Sequence, residues 1–254
     1  MEKAELFHNR RLIKQMLEKR DPADAMVTYY AMHHSPAQTE LYVMEGARMS
    51  PNGFISICRT GLDLFRPLVT LRAKRQWYAQ SLISKHISPG TPAFVQVPVD
   101  FKPAIDATFT YTEGEVVRIF MVDSSRFRPT VNVLVTRAPT PSGNPRFVIR
   151  GQSFDRGARP RGPALATAGM NWRSPVFADI YVNVEPEAQG RKWGQSVVSS
   201  TVGWLLENGI IPLYSVAEDN RESMRLATDL GFYDTGARTF FCSAVRNEAI
   251  YLDE

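Results

Sequence analysis

The residues with the clearest chemical potential form one stretch, Val184-Glu185-Pro186-Glu187-Ala188-Gln189-Gly190-Arg191-Lys192-Trp193-Gly194. An apolar, β-branched segment, Phe177 to Val184, leads into it, and a segment with helical spacing, Gln195 to Asn208, follows. A strand that turns through glycine and arginine straight into a helix is a phosphate-binding design. The first backbone N–H groups of a helix have no partner within it and point at whatever lies before them. Gln189, Gly190, Arg191, Lys192, Trp193 and Gly194 are therefore candidate contacts for a phosphorylated cofactor, with Arg191 and Lys192 adding counter-charge. One such dipole contact at a surface contributes roughly 0.3–1 kcal/mol, so several must converge.

The elements around this turn alternate. After Pro163, Ala164 to Met170 and Phe177 to Val184 read as strands. In the helix that follows, Val198, Val202, Leu205 and Leu206 form one buried face with serine and threonine on the other, and Asn208-Gly209 ends it. Ile210 to Val216 is the next strand, with Pro212 near its start, where a missing donor is tolerated. Asn220 opens another helix, in which Ser223, Leu226, Ala227 and Leu230 recur with helical spacing. Gly231-Phe232 closes that helix, and Arg238 to Val245 is a last strand.

The first half also mixes helices and strands. Residues 3 to 19 read as an amphipathic helix stopped by Asp21-Pro22. Ala25 to Met32 and Thr39 to Met44 fit strand or helix equally. Gly53 to Cys58, Leu68 to Leu71, Ala93 to Val97 and Val116 to Val122 read as strands. Arg75 to Ile87 reads as a helix burying Tyr78, Leu82 and Ile83, and Asp100 as the cap of a helix with Pro103 in its first turn. Val131 to Thr136 and Phe147 to Ile149 are strand-like, with Pro139 to Pro145 suited to a hairpin loop between them. The composition shift there fits either such a hairpin or a domain junction near residue 125, and the junction is favoured. The class is mixed α/β, divided into 1–125 and 126–254.

Composition narrows the function. The 254 residues are 44% hydrophobic and 22% charged, as in an ordinary soluble globular chain. There is no apolar run long enough to span a membrane, and Met1-Glu2-Lys3-Ala4-Glu5 does not open a secretory signal. The two cysteines, Cys58 and Cys242, have no metal-type spacing, which points to a reducing compartment and the cytoplasm. Adjacent His33-His34 lacks cysteine partners and reads as surface or core, so no metal is expected. Trp77, Trp172 and Trp204 read as core or pocket wall. Arg146, Arg150, Arg156, Arg159 and Arg161 form a basic cluster at a net charge of +4, but without interleaved aromatics it reads as a solvated loop.

In its turn, Asn220 and Gly231-Phe232, the second half resembles the GNAT superfamily of acyl-CoA-dependent N-acyltransferases over about residues 163 to 245. Gln189 and Gly194 match the ends of that family's Q/R-x-x-G-x-G/A signature, with Lys192 at the usual middle glycine, a position it can fill only by adopting the required backbone angles. Asn220, followed eleven residues later by Gly231-Phe232, matches the second half. The N-terminal half would be a degenerate copy of that fold or an accessory portion completing it, a layout resembling the glycine-N-acyltransferase-like branch.

The resemblance implies acetyl-CoA as co-substrate and a primary amine, small-molecule or peptide, as acceptor, with a homodimer left open. It implies backbone contacts to the pantetheine arm from about Val182 to Val184, and contact from Asn220. Phe177-Ala178-Asp179-Ile180 resembles the strand that carries the general base, making Asp179 the candidate, with Tyr181 on its strand face. Deprotonating an amine of pKa near 10.4 at pH 7 costs about 4–5 kcal/mol, which such a base can help to meet. The family's tyrosine acid falls at Ala227, so another acid, solvent, or loss of activity takes its place. Against these stand a purely structural Asp179, an Asn220 that only caps its helix, and a non-catalytic acyl-CoA-binding module; nucleic-acid binding ranks last.

Overall fold

A computed structural model describes residues 2–46, 50–140, 143–151 and 162–248. Arg156, Arg159 and Arg161 lie outside the described residues. The chain divides into two compact units, Met1–Arg118 with Gly236–Glu254, and Ile119–Thr235.

The first unit contains α1 (Lys3–Ile13), α2 (Pro22–Thr28), β1 (Thr39–Met44), β2 (Gly53–Cys58), β3 (Leu68–Ala73), α3 (Gln76–His86), β4 (Pro92–Pro98), α4 (Lys102–Thr108), β5 (Phe109–Thr110) and the start of β6 (Gly114–Val122). Strands β1, β2 and β3 pair antiparallel, and β3 pairs β4 in parallel at Leu68↔Phe94 and Val69↔Val95. Ile55, Val69, Leu71, Leu82, Ile83, Val95, Ile105, Phe240 and Cys242 pack into its core.

The second unit contains β7 (Thr136–Ala138), β8 (Arg146–Arg150), β9 (Ala164–Arg173), β10 (Phe177–Val184), α5 (Trp193–Glu207), β11 (Ile211–Ala217), α6 (Arg221–Asp229) and the start of β12 (Phe232–Arg246). The sheet runs β7-β8-β9-β10-β11-β6, antiparallel from β7 to β10 and parallel between β10 and β11. Its core joins Ala178 and Ile180 of β10 to Val197, Val198, Val202 and Leu205 of α5 and to Ala227 and Leu230 of α6. The chain returns to the first unit within β12, whose residues Thr239 to Val245 pair β4.

The first unit runs three antiparallel strands and the second four, and in each a helix, a parallel strand and a helix follow. They differ at the turn that matters. In the first unit only Lys74 and Arg75 separate β3 from α3, without a glycine; in the second, residues 185 to 192 separate β10 from α5. Only the longer turn has room to curl its amides around a ligand.

The structure settles the open segments and corrects others. Ala25 to Met32 is helical, closing in a π-turn over Tyr29–His33, and Thr39 to Met44 is a strand. The helix expected over residues 3 to 19 ends at Ile13 and gives way to a 3-10 turn, Lys14–Met16. Asp100 does not cap α4; it sits in a 3-10 turn, and the capping position falls to Phe101 without a side-chain bond. Val131 to Thr136 is not a strand, because only Thr136–Ala138 pairs β8, and Val131 and Val133 stand exposed. On either side of residues 139–145, β7 and β8 pair antiparallel from Thr136↔Val148 to Ala138↔Arg146. Ser196, Ser199 and Thr201 of α5 are buried rather than solvent-facing: Thr130 N–H donates to Ser199 Oγ at 2.7 Å, Asn132 Nδ2 to Ser196 Oγ at 3.1 Å, and Thr201 Oγ1 to the Val197 carbonyl of its own helix at 2.9 Å.

Tyr78 is half-buried, and Trp77 is 56% exposed, so neither is core. His34 is buried against Thr39, Nδ1 to Oγ1 at 2.8 Å, and both cysteines are free and buried. Among the described residues no group of three potential ligands could hold a metal ion. No described helix is long and apolar enough to cross a membrane.

Candidate functional site

The site is built where two parallel strands part. The ladder between β10 and β11 runs from Phe177↔Ile211 to Ile180↔Tyr214 and stops, although β11 continues to Ala217. On its other edge β10 stays paired to β9 as far as Val184↔Ala166. Residues 181 to 184 therefore present one row of backbone donors and acceptors toward β11 without a ladder partner there. An edge of this kind can take up an extended amide-containing chain as it would another strand.

Below that opening the chain makes its eight-residue turn. Pro186–Ala188 is one turn of 3-10 helix, Gly190 takes φ 75°, and Lys192 takes φ 59° and ψ 18°. Lys192 is the one described non-glycine residue in the left-handed region. An L-residue there costs roughly 1–2 kcal/mol relative to its ordinary conformations, so the turn holds Lys192 against a local preference. Left-handed backbone of this kind is what glycine adopts most readily. Trp193 begins α5, and the first helical bond is Ser196 N–H to the Lys192 carbonyl at 3.1 Å. The amides of Trp193, Gly194 and Gln195 precede that bond and carry the positive end of the helix dipole.

Gly194 is required by packing rather than by its φ angle. A β-carbon there would come within 2.9 Å of Val184 Cγ2, so only glycine lets the helix start lie this close to the strand end. Arg191 projects outward, its guanidinium 5.0 Å from the centre of the Trp193 ring.

These elements enclose a cleft of about 370 Å³. Val182, Val184, Gln189, Gly190, Lys192, Trp193 and Gly194 line it, together with Gln195, and α6 supplies the far wall with Glu222, Ser223, Arg225, Leu226 and Asp229. Of the expected contacts, Arg191 and Asn220 are not in the lining. Asn220 caps α6, its Oδ1 accepting from Ser223 N–H at 3.0 Å. Gly231 takes φ 88° and lies against the backbone of Arg126 and Phe127, while Phe232 is core.

The far wall was missed in the sequence, though its signal was present. Glu222, Arg225, Leu226 and Asp229 repeat at i, i+3, i+4 and i+7, one stripe beside the buried face that was read. Within the cleft two cations, Lys192 and Arg225, meet two carboxylates, Glu222 and Asp229, so side-chain charge cancels formally. The exposed helix amides then decide the preference, and they favour an anion.

Asp179 lies elsewhere. Ala178 and Ile180 face α5, so Asp179 and Tyr181 face the opposite side of β10, away from the cleft. Asp179 is 4% exposed. Burial pushes its carboxyl up to about 6, while donors from Asn171 and Ser215 pull it down. Asn171 Nδ2 donates to Oδ2 at 2.8 Å, and the Ser215 backbone N–H donates to Oδ1 at 3.2 Å. A carboxylate with a pKa near neutrality is suited to taking a proton at physiological pH. Ala227, at the position of the expected tyrosine, is fully buried in the core between α6 and the sheet.

No protein-family profile and no curated protein matches the chain. Solved structures do. A protein from Drosophila is 13% identical, with a TM-score of 0.67 over 98% of each chain. A GCN5-related N-acetyltransferase-like protein from Streptococcus suis is 11% identical, with a TM-score of 0.60 over 95% of this chain and 100% of its own. A tandem GNAT protein from the clavulanic acid biosynthesis pathway is 13% identical, with a TM-score of 0.55 over 94% of each chain. At these identities the likeness is one of fold: the chain has the mixed α/β fold of GNAT acetyltransferases.

Proposed function

We propose that the protein is an acyl-CoA-dependent N-acyltransferase that moves an acetyl group from acetyl-CoA to a primary amine. The observation that carries this is the parting of β10 from β11 directly above a helix N-terminus. A pyrophosphate would take the amides of Trp193, Gly194 and Gln195, and Lys192 and Arg225 would flank it. The amide-bearing pantetheine arm would lie along residues 181 to 184, bringing the thioester into the gap between the strands.

There the amine nitrogen attacks the thioester carbonyl carbon, a C–N bond forms and the C–S bond breaks. Asp179 accepts the proton the amine gives up, and the departing thiolate takes a proton from solvent in place of a side chain at Ala227. The products are an N-acetyl amide and free coenzyme A. Two free, buried cysteines fit a cytoplasmic setting. A small amine of the kind used by the glycine-N-acyltransferase-like branch is the first acceptor to try.

The test has two stages. Acetyl-CoA should raise the melting temperature of the full chain, and an amine panel should then release free thiol. A melting temperature that acetyl-CoA leaves unchanged removes the cofactor reading. A raised one with no thiol release across the panel supports the non-catalytic acyl-CoA-binding module, which the separation of Asp179 from the cleft lining also favours.

A further inference from the structure

We infer that Asn171 is a positioning residue for Asp179, the extra residue of a β-bulge that turns an amide inward to hold the buried carboxylate. This deepens the acyltransfer reading and rests on it for its catalytic meaning. The register carries the argument. Asp179 pairs with Trp172 and Ile180 pairs with Met170, so Asn171 is the residue of β9 left without an opposite number. Bulges re-aim a side chain that regular alternation would send elsewhere.

Asn171 is itself exposed, and an exposed amide has water for a partner. It nevertheless spends its donor on a carboxylate that is 4% exposed, at 2.8 Å. The second oxygen is held by Ser215 N–H, an amide available because β11 has just left its ladder with β10. The Ser215 side chain adds a third hydrogen bond to those from Asn171 Nδ2 and the Ser215 amide, so the buried carboxylate is held by donors from both neighbouring strands.

Donors to the ionised form lower a carboxyl pKa, so Asn171 works against burial. The titratable group that feels the charge of Asp179 is Tyr214 on the adjacent strand, whose phenol burial keeps neutral. Burial, Asn171 and Ser215 set the balance at Asp179 among the described residues. Loss of the Asn171 donor should therefore leave the carboxyl protonated to a higher pH.

The experiment is a carbon-13 NMR titration of aspartate carboxyls in the full chain, with Asp179 identified by the resonance lost in Asp179→Asn. In Asn171→Ala its titration should move upward by about one pH unit. In Asn171→Asp, which keeps the shape and adds a like charge, it should move further in the same direction. Titration unmoved in both variants, each folded by circular dichroism, overturns the inference. The measurement needs no turnover, so its failure is distinct from failure of the acyltransfer reading. If acetyl transfer is found, the acid limb of kcat/KM should move with the titration. A limb that stays in place while the titration moves would overturn the catalytic meaning of the contact.

Discussion

Gly194 abuts Val184 so closely that a β-carbon on the glycine would lie 2.9 Å from Val184 Cγ2. The two residues belong to the helix start and the strand end that wall the same cleft, so packing and binding share one contact. Gly194→Ala should destabilise the protein by about 1–3 kcal/mol and reduce the thermal shift given by acetyl-CoA. Val184→Ala in the same chain should restore part of the stability by opening the space. A double-mutant cycle in urea that returns simple additivity would show the contact to be unimportant.

Lys192 occupies left-handed backbone in a turn that otherwise uses glycine for that purpose. Lys192→Gly should be neutral or stabilising by up to about 1 kcal/mol, since relief of strain is offset by glycine's greater unfolded-state freedom. Lys192→Val, β-branched, should cost about 1–2 kcal/mol. Chemical denaturation orders the three, and equal stabilities would contradict the strained turn.

Arg225 lines the cleft, whereas Arg191 leans on Trp193 outside its lining. Arg225→Glu should therefore weaken acetyl-CoA binding more than Arg191→Glu, by roughly tenfold at low ionic strength, with the gap narrowing as salt is added. Calorimetry at two salt concentrations measures it. An equal loss in both variants would place the phosphates outside the cleft.

Asp179→Asn should preserve acetyl-CoA binding, abolish most turnover and raise stability at pH 7. The sign follows from burial, which pushes the folded carboxyl up to about 6 from an ordinary 3.8. Between those values the native state holds the proton more tightly than the unfolded chain, so stability falls as pH rises through the window. Above it the native state carries the full penalty, at most about 3 kcal/mol. The variant should lose that pH dependence, and melting curves from pH 4 to pH 8 that stay parallel to the parent's would refute the assignment.

Much of the second unit was legible in sequence because its signals are local. Phe177 to Val184 is β-branched and apolar over the length of one strand, and the strand has those limits. Gly209 and Gly231 end their helices in the left-handed conformation that glycine tolerates. Spacing failed where a neighbour distant in sequence intervened. Ser196 and Ser199 look like a polar face until Thr130 and Asn132 bond to them. Val131 to Thr136 has strand composition but finds an edge to pair with only at its end.

The sequence by itself determined the order of strand, long turn and helix, because hydrophobic period and glycine placement act within a few residues. Only the tertiary structure decided which side of β10 each group faces and what surrounds it. It put Asp179 across the sheet from the cleft, brought Asn171 to it through a bulge, and chose the α6 stripe that walls the site. It also buried Ala227 in the core. Those outcomes depend on which strands become neighbours and where their ladder stops, and backbone pairing between distant segments leaves no mark in local spacing.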